Sequence, residues 1–161
     1  MSTRSLIGIL TGENKDKIEY IYCHFDGYLE GVGETLGNEY RDIEKVKQLI
    51  ALGDLSCLAE KVNPDPDKPH SFDGRYDGTG VQEDVCIAYG RDRGETGVGP
   101  KTCLLSEYES KADYCGAEFI YYFDPSENDW KFNTLSDDGY HDLLTDKQAT
   151  EMGCSRGNCN W

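Results

Sequence analysis

The sequence predicts an α+β fold: a single domain, residues 1–161, with helices packed on one face of a mostly antiparallel sheet. Three observations lead there. Two pairs of apolar, aromatic-rich runs, SLIGIL with IEYIYC and AEFIYYFD with WKFNTL, each flank a short turn-forming segment, as hairpins do. Segments with the apolar period of helices lie between these pairs. No repeat of about 20 to 50 residues recurs, which excludes a solenoid.

The elements follow in order. Ser5 to Leu10 is almost wholly apolar and reads as a strand buried on both faces. Thr11 to Lys17 contains Gly12, Asn14 and Asp16 and makes a loop, and Ile18 to Cys23 is the returning strand. Antiparallel pairing of the two brings Thr3 and Arg4 beside His24, at the end opposite the loop. Val32, Leu36 and Tyr40 form one stripe of a short helix that Arg41 and Asp42 break. Ile43, Val46, Leu49 and Ile50 trace the buried face of a second helix, with Asp42 as N-cap and Gly53 just past its end. Ser56 to Val62 and Asp84 to Tyr89 read as strands. Between them, 63–83 is a long loop or insertion. Its Asn63, Asp65 and Asp67 alternate as in a calcium loop, but Lys68 stands where that motif needs glycine. Ser106 and Glu109 have capping-box spacing, before a helix with Tyr108, Ala112 and Cys115 inward and Gly116 as its stop. Phe119, Tyr121 and Phe123 then alternate against Trp130, Phe132 and Thr134 around a turn at Pro125–Asp129. A second capping-box match at Thr145–Gln148 and a coil tail at 153–161 follow.

Charge bounds the function. The chain carries 31 acidic and 16 basic residues, for a formal net charge of -15. Such a field repels nucleic acid and anionic membranes, so direct binding to either is not expected. An acidic surface can instead compete with nucleic acid for a basic partner. Hydrophobic residues make up only 37%, and the 11 tyrosines point to a thin, aromatic-rich core. The seven cysteines are odd in number and form no CxxC pair. MSTRSLIGIL is too short and polar for a signal peptide, and no run approaches the ~18 apolar residues of a membrane span. A cytosolic protein with reduced thiols is expected.

Two turns hold the candidate chemistry. The stretch Ile18 to Gly33, IEYIYCHFDGYLEGVG, sets His24, Asp26, Tyr28 and Glu30 around glycines, with Arg4 nearby. Tyr89, Arg91, Asp92, Arg93 and Glu95 cluster after the Asp84–Tyr89 strand. If that strand lies beside Ile18–Cys23, the two turns share one polar rim. Its guanidinium groups would suit a phosphate or carboxylate, and His24 would supply acid–base capacity near neutral pH. The plainer alternative is that Arg–Asp and Arg–Glu pairs pin the turns to the sheet. Other chemistries have thinner support. Cys154 and Cys159, with His141 upstream, are spaced too widely for an ordinary zinc site. Ser2 would be a terminal nucleophile if Met1 were removed. GxSxG, P-loop and Rossmann fingerprints are lacking, so no catalytic residue, metal or cofactor is assigned.

Five stretches add a resemblance: MSTRSLIGI, IYCHFDGYLEGVGETL, VKQLIALGDLSCL, AYGRDRGE and the FIYYFD…WKF hairpin. Together they resemble a family of small proteins, without assigned activity, carried by bacteriophages, prophages and other mobile elements. The resemblance implies that the turns at 24–30 and 89–95 belong to a shared pattern. It also implies a phage accessory protein in a host bacterial cytoplasm. The expected function is binding, as an acidic inhibitor of a host defence protein, CRISPR-type or other, or of a nucleic-acid-handling protein with a basic surface. The alternative is a protein that binds or hydrolyses a nucleotide at the Arg/His/Asp rim.

Overall fold

The computed structural model describes residues 2–74, 78, 80–134 and 140–143. It shows the α+β class, with a mixed, mostly antiparallel eight-stranded sheet. β1 (Ser5–Thr11) pairs antiparallel with β2 (Lys17–Cys23), Ser5 opposite Cys23 and Thr11 opposite Lys17. A five-residue π-turn, Leu29–Gly33, leads into α1 (Glu34–Glu39), and α2 (Ile43–Ala51) follows. β3 (Leu55–Cys57) joins β2 in parallel at Cys23, and β4 (Ile87–Ala88) pairs antiparallel with β3. α3 (Tyr89–Arg93) follows at once. β5 (Lys101–Leu104) pairs with the first half of β2, and α4 (Tyr108–Cys115) comes next. β6 (Phe119–Asp124) lies parallel to β1, then β7 (Asp129–Thr134) and β8 (His141–Asp142) complete that side.

The best-determined elements are those with the clearest side-chain periods. β6 and β7 pair Phe119 with Thr134, Tyr121 with Phe132 and Phe123 with Trp130, the register set by the aromatic alternation. α2 begins where the Asp42 carboxylate accepts the Glu44 N–H at 3.1 Å, and it ends before Gly53 at φ +82°. The strands at Ser56–Val62 and Asp84–Tyr89 are shorter than their apolar runs. Only Leu55–Cys57 and Ile87–Ala88 are strand, with one further bridge between Lys61 and Val85.

Helices lie on both faces rather than one. Ile7, Ile9 and Ile21 meet Leu36, Tyr40, Val46 and Leu49 beneath α1 and α2. Leu6, Leu10, Ile18 and Ile120 turn the other way and meet Tyr108 and Ala112 of α4. The uninterrupted apolar run of β1 is the reason: alternating side chains in a central strand need cover on both sides. Tyr108 locks α4 down by donating its hydroxyl to the Tyr121 carbonyl at 2.8 Å. On the opposite face the Trp130 indole donates to the Tyr40 carbonyl at 2.7 Å.

The capping box at α4 is displaced from Ser106–Glu109. Leu105 N–H is already held by the Asp16 carbonyl at 2.7 Å, so the turn starts earlier, at Leu105–Glu107. Glu107 accepts the Leu104 N–H at 3.0 Å, and Glu109 is left to receive the Asn133 amide at 2.7 Å. The Thr145–Gln148 match, Cys154, Cys159 and the 153–161 tail lie outside the described residues. Among the described residues no helix is long and apolar enough to cross a membrane.

Candidate functional site

The turn after β2 is built by contacts from three other segments. His24 and Phe25 donate their N–H groups to the Leu55 and Ser56 carbonyls, both at 3.0 Å, prolonging the β2–β3 pairing. Asp26 then takes a left-handed conformation, φ +58°, rare for a residue with a side chain. Gly27 N–H bonds the Thr3 carbonyl at 2.8 Å, and the buried Tyr121 hydroxyl donates to the Gly27 carbonyl at 2.7 Å. The Asp26 carbonyl accepts Val32 N–H at 2.8 Å, closing the loop onto the π-turn. Glycine is required twice by close approach. A Cβ on Gly27 would meet the Thr3 carbonyl at 2.8 Å, and one on Gly31 would collide with the Asp26 carbonyl. The loop therefore holds a sparsely populated backbone shape because its surroundings fix it.

The side chains of this loop divide into two groups. His24 lies inward of the rim, with Nδ1 at 2.8 Å from the Tyr22 hydroxyl. Burial, and secondly the Arg4 guanidinium, lower its pKa below the usual imidazole value. Arg4 does stand beside His24, as the β1–β2 pairing requires, and its Nη1 makes a long 3.5 Å contact with the Cys115 carbonyl. Arg4→Gln is therefore expected to move the His24 titration upward when followed by NMR. The sign for stability follows: with a lowered folded-state pKa, the unfolded chain binds the proton first. Folding then loses stability as pH falls through the unfolded imidazole range. The second group faces solvent. Phe25 is 41% and Tyr28 39% exposed, and the Tyr28 hydroxyl donates to Asp26 Oδ1 at 3.1 Å. Asp26 and Glu30 are exposed beside them.

Tyr89 borders this rim, its hydroxyl bonding Ser56, whose carbonyl holds the Phe25 N–H, but Arg91 and Asp92 turn away from it. β3 lies between β2 and β4, and β4 runs against both. The chain thus leaves β4 at Tyr89 toward the sheet end opposite to that from which His24 departs. Arg91 and Asp92 turn instead to the long loop. Arg91 Nη1 and Nη2 donate to the Val62 and Cys86 carbonyls at 2.5 and 2.7 Å, and Nε to Asp92 Oδ1 at 2.9 Å. Asp92 Oδ2 accepts Ala88 N–H at 2.7 Å and lies 3.4 Å from His70 Nε2. His70 Nδ1 accepts the Gln82 N–H at 3.0 Å, which places the ring proton on Nε2 toward the Cys86 carbonyl at 3.1 Å. Arg93 lies over the Phe72 ring at 4.6 Å and pairs with Glu95 at 3.7 Å, while Tyr89 stacks on Phe72 at 5.4 Å. These residues brace the 63–83 loop against the sheet. In the same loop Asp65 Oδ1 caps the Asp67 N–H at 3.0 Å.

A second acidic feature was hidden in the sequence by separation. Glu34 and Glu39 of α1, Glu60 after β3 and Asp84 before β4 meet around an open groove of about 360 Å³. Among the described residues its other lining members are Thr35, Asn38, Leu58 and Ala59, so four acidic residues line one space with no Lys or Arg in the wall, although the Lys45 ammonium bonds the Glu39 carbonyl at 2.7 Å. Glu30 and Glu34 are four apart on the continuous π/α1 segment and share a face, which links the groove to the 24–30 loop. The signal available in the sequence was the stretch 18–40, which contains five acidic residues and no Lys or Arg.

Metal and thiol chemistry finds less support. Among the described residues no group of three or more His, Cys, Asp or Glu side chains is arranged to hold an ion. His141 rests against the Phe132 ring at 5.5 Å. Cys23 and Cys86 are buried, and burial pushes both thiols up, so they act as packing groups. Comparison with known proteins gives no match: no family model fits the chain, and no curated protein or solved structure is significantly similar to it.

Proposed function

We propose that this protein acts by binding, presenting an acidic face to a partner protein whose own surface is basic and shaped for nucleic acid. The observation that carries this reading is the groove of Glu34, Glu39, Glu60 and Asp84, whose lining among the described residues includes no Lys or Arg. The formal charge of -15 works in the same direction, drawing basic surfaces in and keeping nucleic acid out. The resemblance to phage and mobile-element proteins supplies the context: a host defence or nucleic-acid-handling protein in a bacterial cytoplasm. On this reading the chain inhibits by occupying the partner's nucleic-acid site and has no reaction of its own.

The test is neutralisation of the groove. A variant with Glu34→Gln, Glu39→Gln, Glu60→Gln and Asp84→Asn is expected to associate with its basic partner about tenfold or more slowly at low salt. Its binding should also depend less on ionic strength. Unchanged association kinetics would defeat the reading.

One observation favours a second reading, a small anionic ligand such as a nucleotide. The exposed Arg4 guanidinium stands by His24 and Tyr22, with the long Cys115 contact its one hydrogen bond among the described residues. Arg4→Gln separates the two readings: ligand binding should collapse, whereas an acidic binder should be unharmed or slightly improved. Arg91 is unsuited to this comparison, because its guanidinium braces the fold.

A further inference from the structure

Phe25 and Tyr28 are two of the four large hydrophobic side chains most exposed among the described residues, and both sit on one locked loop. Exposed aromatics on a rigid support supply contact area at little entropic cost, the property of binding anchors. The loop has that rigidity: its carbonyls at Asp26 and Gly27 are both bonded, the latter by a buried tyrosine. The rings also continue inward, Tyr22 to His24 at 6.0 Å between centroids and His24 to Phe25 at 4.5 Å. Asp26 and Glu30 stand exposed on the same loop, so flat rings and single negative charges occur side by side. Arg4 bounds the patch beside His24, on the side of the α4 C-terminus.

That combination selects one kind of basic partner. Duplex nucleic acid shows a protein mainly phosphates, with the ring faces stacked out of reach, and a groove built for it needs only cations. Unpaired nucleotides show rings and phosphates together, and their binding grooves pair Lys and Arg with aromatic platforms. We infer that the 24–30 loop docks in a single-strand nucleic-acid groove of its partner, Phe25 and Tyr28 taking the places of bases and Asp26 and Glu30 those of phosphates. This inference rests on the reading of an acidic binding protein and narrows its partner class.

The experiment uses the full chain immobilised as bait, with bacterial lysate passed over it at low salt. Bound protein is then released with oligothymidylate or with duplex DNA of equal nucleotide content. Release by oligothymidylate at about tenfold lower concentration is expected, matching the stacking contribution of one or two rings. The double variant Phe25→Ala, Tyr28→Ala should lose about tenfold or more of the retention, while Phe25→Tyr with Tyr28→Phe keeps it. Melting curves verify that each variant is folded, as their exposure allows. Equal release by both nucleic acids, or loss of retention in the ring-preserving variant, overturns the inference and leaves the acidic-partner reading standing. No salt-sensitive retention of any protein overturns that reading as well.

Discussion

Gly31→Ala is expected to lower the melting temperature sharply and to remove partner binding with it. The added Cβ would fall within the contact radius of the Asp26 carbonyl oxygen and crowd the Asp26 side chain. That carbonyl cannot swing aside freely, because it accepts the Val32 N–H at 2.8 Å and belongs to a residue already at φ +58°. Overpacking of this kind costs about 1–3 kcal/mol, and loss of the Asp26–Val32 bond adds about 1 kcal/mol. For a chain of this size each kcal/mol lowers the melting temperature by about 2–4 °C. Gly99→Ala is the matched control, since no described residue lies near its Cβ position and its φ is ordinary. It should change stability by no more than about 0.5 kcal/mol. Equal melting curves for the two variants would show that the loop is not locked as described.

Asp92→Ala should be at least as damaging, by another route. Its carboxylate is almost fully buried and receives Ala88 N–H and the Arg91 guanidinium, with His70 at 3.4 Å. Removing it leaves the Ala88 N–H and the Arg91 Nε–H without their acceptor and the guanidinium without its charge partner, held only by the Val62 and Cys86 carbonyls among the described residues, a change that costs about 3 kcal/mol. The damage should concentrate where the network reaches. Hydrogen exchange at the Gln82 and Ala88 amides should accelerate well before exchange in β1 or β6. Arg93→Ala, at the very next residue in the chain but half-exposed, should cost under about 1 kcal/mol. If Asp92→Ala melts like the Arg93 variant, the 63–83 loop is held by something else.

How far the sequence reached depended on whether the needed information was local. The two hairpins and α2 were legible because alternation, turn residues and caps all lie within their own segments. Tyr121 opposite Phe132 follows from counting, and so does Arg4 beside His24. The order of strands was not legible, because nothing near Asp84–Tyr89 tells that the three residues of β3 will come between it and β2. That one insertion separated the two turns and turned Arg91 and Asp92 from candidate ligand groups into braces. His70 escaped notice for the same reason, since its partners at Gln82, Cys86 and Asp92 arrive only by tertiary folding. The acidic groove draws on residues 34, 39, 60 and 84, which only the folded chain brings together. Of the residues predicted for the rim, Arg4 lies beside His24 and the Tyr28 hydroxyl bonds Asp26 on the following loop, whereas Arg91 and Asp92 lie elsewhere.

The central claim is that an acidic surface recognises a basic one, and ionic strength probes it directly. The affinity of the chain for the protein it retains from bacterial lysate should be followed from about 50 to 200 mM salt. A fall of about tenfold or more is expected, because exposed carboxylates attract through screened charge. An affinity that holds constant across that range would contradict the account.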